Sequence, residues 1–338
     1  MNRYLFRFSV MGTIIGGTVI LKDYLHGGQC PSKARMDGKT IVITGANTGI
    51  GKKIAAELAT RGGRVILACR DMDKCESAAR GIRRDTLNRN VVARKLDLAS
   101  FASIRNFAMQ IEEEEGLHVL INNAAVMRCP EAKTEDGFEM QFGVNYLGHY
   151  LLTNLLLDKL LASAPSRIIN VSSMAYIAGK LDPEDLQSQN IPYNPKMAYC
   201  RSKMAGMLFT YELSRRLNQT GVTVNAVNPG VAASELGRHT GLHQSNISRN
   251  VLGPFFWLVV RSPEQAAQPS IYLAVSEKLE GISGRYFDGM RPRDLDPEVQ
   301  DDHISALLWE ASRKFVGLCS DNTQNLIVAP TNNNSESQ

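Results

Sequence analysis

The chain has 338 residues, of which 43% are hydrophobic and 21% charged, with 27 Gly and 13 Pro. This balance excludes a disordered chain, a collagen, a coiled coil and a polytopic membrane protein, and the length allows one large domain or two ordinary ones. A formal net charge of only +4 argues against nucleic acid as a partner, and six Cys without a C-x-x-C pair make neither a disulfide framework nor a zinc site.

Charge is unevenly placed. Residues 1–40 carry six Lys/Arg against two Asp/Glu, and residues 291–338 carry four against eight. The first segment places Arg3 and Arg7 before an uncharged run from Phe8 to Leu21, followed by Lys22 and Asp23. The run falls short of the ~20 residues of a spanning helix, and no A-x-A-like cleavage site follows it. We therefore expect residues 1–22 to associate with a membrane as an uncleaved anchor or an interfacial segment. The alternative is an ordinary buried helix.

From Lys39 onward, strand and helix signals alternate. Lys39–Thr44 is β-rich and is followed by a glycine turn and a helix from Ile50 to Arg61. Strands are expected at Arg64–Ala68, Val91–Leu96, Val119–Ile121, Arg167–Val171 and Val222–Val227. Between them the helical spacing predicts Asp73–Arg84, Phe101–Glu115, one long helix from Phe138 to Leu161, and another from Met197 to Leu217. Such alternation implies right-handed crossovers and one doubly wound parallel sheet with helices on both faces, a Rossmann-like α/β domain expected over residues 38–290. The acidic tail, 291–338, is expected to be partly disordered around one helix, Asp301–Val316, with Ile304, Leu307, Leu308, Ala311 and Phe315 on its apolar side.

The turn after the first strand reads Thr44-Gly45-Ala46-Asn47-Thr48-Gly49-Ile50-Gly51. Glycines between a strand and a helix let the backbone approach a pyrophosphate, whose charge then sits at the helix N-terminus. The spacing is G-x-x-x-G-x-G rather than G-x-G-x-x-G, so the turn alone only suggests a dinucleotide. At the tip of the second strand, Arg70 sits where an Arg accommodates the 2′-phosphate of NADP, although Asp71 beside it resembles the acidic residue that selects NAD. Asp97, ending the third strand, either contacts the adenine edge or caps the next helix.

Tyr199 and Lys203 stand at i and i+4, one face of a helix. A nearby ammonium favours a phenolate, making Tyr199 a candidate acid toward a carbonyl oxygen, with a Ser such as Ser173 holding the same oxygen. The spacing is common by chance, and Tyr176…Lys180 is a decoy; it runs into Gly179 and a loop, whereas Tyr199 opens a long helix. His118, His149, His239 and His243 lack metal spacing, and no metal is expected. The run Val251–Val260 either walls a lipophilic pocket or belongs to the core, after a polar stretch, Ala232–Asn250, of the kind that covers a substrate.

Thr44–Gly51, Asn122-Asn123-Ala124-Ala125, Asn145, Ser173, Tyr199-x-x-x-Lys203 and Asn228-Pro229-Gly230 occur in the order of the short-chain dehydrogenase/reductase family, which the chain resembles over residues 38–290. Thr44–Gly51, Ala68-Cys-Arg-Asp71, Phe138–Asn145 and Ala198–Lys203 resemble its retinol dehydrogenase subgroup. Leu21–Tyr24 and Cys30–Lys33 resemble one member in particular.

The resemblance implies that Gly45, Asn47, Thr48, Gly49, Ile50, Gly51, Arg70, Asp97, Asn123, Pro229 and Gly230 bind NADP(H). It makes Tyr199 the acid/base. Lys203 becomes both its pKa-lowering partner and a ligand of the nicotinamide ribose. Ser173 orients the substrate, and Asn145 holds a water in a proton relay behind Lys203. One residue departs from the family: Ala125 stands where the run usually ends in Gly. The implied reaction is NADPH-dependent reduction of a retinal-like aldehyde. Steroids and lipid-peroxidation aldehydes are the alternative substrates, and a catalytically silent NADP-binding membrane adaptor is the alternative of another class. The resemblance points to the mitochondrial inner membrane, with the endoplasmic reticulum as alternative, and oligomeric state is not legible.

Overall fold

The computed structural model describes residues 16–17, 28–187, 190–232 and 260–318. Most of the expected anchor, the stretch 233–259, Cys319 and the last residues lie outside them. Eight strands form one sheet in the order β3-β2-β1-β4-β5-β6-β7-β8. The strands are β1 (Thr40–Thr44), β2 (Arg64–Cys69), β3 (Val91–Lys95), β4 (Val119–Asn122), β5 (Ser166–Val171), β6 (Val222–Asn228), β7 (Tyr286–Asp288) and β8 (Arg291–Arg293). All pairings are parallel except the last, in which Tyr286 faces Arg293.

The central strands are short apolar runs because helices cover both faces. Ile41 and Ile43 point into one core, with Ile54 and Leu58 of α1 (Gly49–Thr60), Cys75 and Ile82 of α2 (Met72–Thr86), and Ile271 of α7 (Pro263–Val275). Val42 points into the other. There it meets residues of α3 (Phe101–Glu112), α4 (Gly148–Leu155), α5 (Leu157–Ala162), α6 (Pro195–Arg216) and α8 (Asp302–Phe315). Strand order reverses between β1 and β4, which opens the crevice where ligands bind in such sheets, outside the carboxyl ends.

The single helix expected from Phe138 to Leu161 is broken. A turn at Met140–Phe142 leads into a π-helical turn, Gly143–Leu147, in which the Gly148 amide reaches back to the Gly143 carbonyl. At Leu156 the backbone leaves helical angles (φ −97°, ψ 3°), separating α4 from α5. An apolar period of 3.6 does not register one wider turn, so the break is invisible to periodicity.

Residues 291–318 belong to the packed body, although the sequence places the domain end at 290. Strand β8 extends the sheet, and α8 lies on α6. Trp309 stacks on Phe209 at 5.9 Å between ring centres, meets Tyr150 edge-on at 5.1 Å and lies under the Arg216 guanidinium at 4.4 Å. Tyr146 and Ser312 share a hydrogen bond of 2.7 Å, and the Tyr150 hydroxyl donates to the Trp309 carbonyl at 3.1 Å. The buried face of α8 is Ser305, Leu308, Trp309 and Ser312, and Ile304, Ala311 and Phe315 of the expected stripe pack partly buried against the same core. Cys30, Cys69, Cys75 and Cys200 are free thiols. Truncating the buried indole, Trp309→Ala, is expected to lower the unfolding free energy by about 3–5 kcal/mol in chemical denaturation; wild-type stability would deny α8 this structural role.

Candidate active site

Each parallel strand from β1 to β6 delivers one sequence-nominated segment just beyond its carboxyl end: the glycine turn, Arg70, Asp97, Asn123, Ser173 and Pro229–Gly230 in turn. Asn145 comes from the π turn, and Tyr199 and Lys203 from the first turns of α6.

In the glycine turn, Gly45 (φ 66°) and Gly49 (φ 54°) adopt left-handed angles open to glycine. A Cβ on Gly51 would stand 2.5 Å from the Gly45 carbonyl oxygen and 2.6 Å from Asn123 Nδ2, so α1 enters directly against the turn. Thr48 precedes α1 without a side-chain cap, and no acidic residue lies in its first turn. By contrast Asp71, Ser100, Asn194, Ser262 and Asp301 cap α2, α3, α6, α7 and α8. The uncapped amides of α1 are therefore available to an anion. Beneath the turn, the buried Cys69 thiol accepts from the Cys75 thiol at 2.7 Å; the second thiol and burial push it far up, leaving it inert.

Asp71 accepts from the Lys74 amide at 3.1 Å as the cap of α2. Arg70 is exposed at the strand tip, and among the described residues its guanidinium forms no ion pair. Asp97 bends the chain by accepting the Ala99 amide at 3.0 Å, while Ser100 caps α3, so the capping alternative for Asp97 falls away.

Asn123 donates from Nδ2 to the Thr44 carbonyl at 2.9 Å, and the Asn123 and Ala124 amides both donate to Thr44 Oγ1 at 2.9 Å. Ala125 is not among the positive-φ residues, which outside glycine are Leu87, Arg128 and Gln219 in the described chain; its methyl group demands no unusual backbone angle. Asn145 Oδ1 accepts from the Val126 amide at 2.8 Å, and its Nδ2 donates to the Val126 carbonyl and to Ser202 Oγ, both at 2.9 Å. Ser202 in turn donates to the Tyr199 carbonyl at 2.8 Å. Pro229 and Gly230 are held by Arg261, whose Nη1 donates to the Pro229 carbonyl at 2.9 Å.

The Ser173 hydroxyl interacts with the Tyr199 phenol and favours its ionised form. The Lys203 ammonium lies 5.8 Å from the centre of the Tyr199 ring and donates to the Val171 carbonyl at 2.9 Å. The expected depression of the tyrosine is reversed. Burial pushes Tyr199 up to about 12, only partly offset by Ser173, and burial pulls Lys203 down to about 8. Desolvation outweighs the ammonium because Lys203 is turned toward Val171. The decoy is excluded by contact: Tyr176 packs edge-on against Tyr286 at 5.3 Å, while Lys180 is exposed.

Behind Lys203 lies a cavity of about 20 Å³ lined by Asn122, Asn145, His149, Ser172 and Lys203 among others, room for one water. Among the described residues, Asn122 Oδ1 and Ser172 Oγ are buried there without partners. Thr44, His149 and Ser202 are the site residues that motif reading missed. His149 stands four residues after Asn145, a helical spacing that a search for metal ligands passes over. No cluster able to hold a metal occurs among the described residues.

A short chain dehydrogenase family model matches residues 39–244, and the chain belongs to this family of oxidoreductases. It is 64% identical to retinol dehydrogenase 13 of Mus musculus over 319 residues, covering 94% of this chain and 96% of the relative. It is also 48% identical to retinol dehydrogenase 12 of Homo sapiens, over 88% and 92% of the two chains. Among solved structures, an uncharacterized protein of Mycobacterium Paratuberculosis superposes with a TM-score of 0.69 at 35% identity, over 86% of this chain and 98% of the other. The Pseudomonas aeruginosa RhlG/NADP active-site complex gives 0.61 at 26%, over 75% and 95%.

The Lys203 shift has a measurable consequence. Between pH 8 and its ordinary 10.5, the native lysine has released a proton that the unfolded chain keeps. Stability of the protein without added nucleotide should therefore rise with pH through that window, by at most ~3 kcal/mol. Lys203→Met should flatten the rise in denaturation curves taken across it.

Proposed function

We propose that this enzyme reduces lipophilic aldehydes of the retinal class with NADPH. The observation that carries the chemistry is the convergence of Ser173 and Tyr199 at the carboxyl edge, with Lys203 one helical turn beyond Tyr199. The retinoid rests on relatives named retinol dehydrogenase 13 and 12.

The residues fit a phosphorylated dinucleotide. The turn from Gly45 through Asn47, Thr48, Gly49 and Ile50 to Gly51, with the uncapped amides of α1, would hold the pyrophosphate. Arg70 would take the 2′-phosphate, since Asp71 is committed to capping α2. Asp97 would reach the adenine edge, Pro229 and Gly230 would flank the nicotinamide, and Lys203 would hold its ribose. Asn123 supports this end by fixing the Thr44 carbonyl. NADPH, when bound, supplies the hydride.

Ser173 orients the aldehyde oxygen, and Tyr199 gives it a proton as the C–H bond forms. At neutral pH the buried phenol is protonated, the form that can give a proton to the aldehyde oxygen. Lys203 and the water that the cavity behind it suits would return a proton to Tyr199, with Asn145 fixing that end of the relay. Intact proton machinery favours an enzyme over a silent adaptor, because nucleotide binding alone needs no phenol–ammonium pair.

We further propose attachment through residues 1–22 to the mitochondrial inner membrane. No helix among the described residues is long and apolar enough to cross a membrane. Attachment rests on the basic, uncharged-centre pattern of that segment and the compartment on the family resemblance, with slight support from Arg3 and Arg7; fractionation finding only endoplasmic reticulum would overturn the compartment.

Purified protein should oxidise NADPH with retinal in a panel of retinoid, steroid and alkyl aldehydes. Saturable NADPH binding without turnover of any carbonyl would favour the adaptor. Tyr199→Phe should lower kcat by at least ~10²-fold while leaving the Kd for NADPH unchanged; an active variant would refute the assigned acid. Arg70→Ala should weaken NADPH about 10–100-fold and leave NADH untouched, as fluorescence titration would show; equal weakening of both would remove Arg70 from the 2′-phosphate.

A further inference from the structure

His149 is buried on the first turn of α4 and takes no part in the chemistry above. Its ring touches two polar atoms. Nε2 lies 2.9 Å from Thr44 Oγ1, and Nδ1 lies 3.1 Å from the Asn145 carbonyl oxygen. The two ends assign one tautomer. Thr44 Oγ1 already accepts the Asn123 and Ala124 amides, so both its lone pairs are engaged and its own proton points to His149 Nε2. The competing acceptor, the Ile121 carbonyl, is farther away at 3.5 Å. At the other end a carbonyl oxygen only accepts, so Nδ1 carries the hydrogen. The ring is therefore neutral, consistent with burial and the field of Lys203 holding it down to about 4.

We propose that His149 is the positioning residue of the proton relay, a tautomer-locked brace that ties the Asn145 carbonyl to the end of β1. Asn145 sits inside the π turn, where the i→i+5 bond from Gly148 to Gly143 shifts the carbonyls away from their ordinary helical partners. The Nδ1–H bond fixes the Asn145 carbonyl at the wall of the cavity behind Lys203, which His149 also lines. The Nε2 bond fixes the same ring to the hydroxyl that holds the Asn123–Ala124 backbone one residue before the glycine turn. One side chain thus sets the relay in register with the nucleotide end of the crevice. The inference rests on the reading of Asn145 and Lys203 as relay members.

Two isosteres separate the ring's two bonds. An Asn at 149 places its amide N–H near the Nδ1 position, and a Gln places its amide near Nε2. With retinal and NADPH, His149→Asn, which keeps the bond to the relay carbonyl but loses its tether to β1, should lower kcat about threefold, whereas His149→Gln, which frees the carbonyl itself, should lower it about tenfold or more. In both, KM for retinal and Kd for NADPH should stay unchanged. A purely structural histidine predicts equal losses that follow Tm, and that result, or wild-type kcat in His149→Gln, overturns the proposal. The tautomer is checked independently in the wild-type protein by long-range ¹H–¹⁵N spectra of histidine-labelled samples. Nδ1–H, neutral at pH 7, is expected; Nε2–H or an imidazolium overturns the brace even if the variants fail to fold. Wild type inactive toward every carbonyl would instead defeat the functional reading, and the spectra would still decide the brace.

Discussion

The seam between β1 and β4 constrains everything at the carboxyl edge. The two strands run side by side, Ile43 opposite Ile121, and their crossovers leave toward opposite faces of the sheet. Two chains parting at one point leave amides and carbonyls without ladder partners, and in a dry crevice each must be satisfied. Thr44 and Asn123 do this reciprocally: the hydroxyl of one accepts two amides, and the side-chain amide of the other closes on the carbonyl. The space that remains is a crevice walled by fixed dipoles, with room for a nucleotide on the side of the uncapped α1.

A row of polar side chains crosses the sheet just below the site. Asn122 donates to Thr153 at 3.0 Å and to Asn170 at 2.8 Å, and Asn170 donates to Thr210 at 2.9 Å. It links α4, β4, β5 and α6, and the Asn122–Asn170 bond follows from their direct pairing in the ladder. Buried networks of this kind fix geometry when their members are satisfied. Here the unspent acceptor, Asn122 Oδ1, faces the cavity behind Lys203. The same dryness explains why Tyr199 and Lys203 are displaced in opposite directions: each is driven toward its neutral form.

Much of this was legible from the chain alone, because the glycine turn, the strand-end residues and the Tyr199–Lys203 spacing are local patterns imposed by backbone geometry. The doubly wound parallel sheet and the family followed from the alternation of elements and the order of motifs along the chain, whereas the strand order and the two strands β7 and β8 emerge only in the fold. What escaped reading depended on contacts between distant segments. The π turn changes one hydrogen-bond register without changing the apolar period. Ser305 and Ser312 count as polar although α8 buries them. The direction of the Tyr199 shift turns on where one ammonium points, which spacing does not encode. His149 offered no metal pattern, and its meaning appears only when Thr44, more than a hundred residues earlier, is brought to its ring.

The seat of α8 has a bearing on how the molecule comes into being. The aromatic face formed by Tyr146, Tyr150 and Phe209 belongs to the helices that carry the site, yet its cover, Trp309, comes much later in the chain. A growing chain exposes this greasy surface for the whole interval between α6 and α8. Until α8 is made and closes the back of the catalytic helix, that surface is of the kind that drives non-native association.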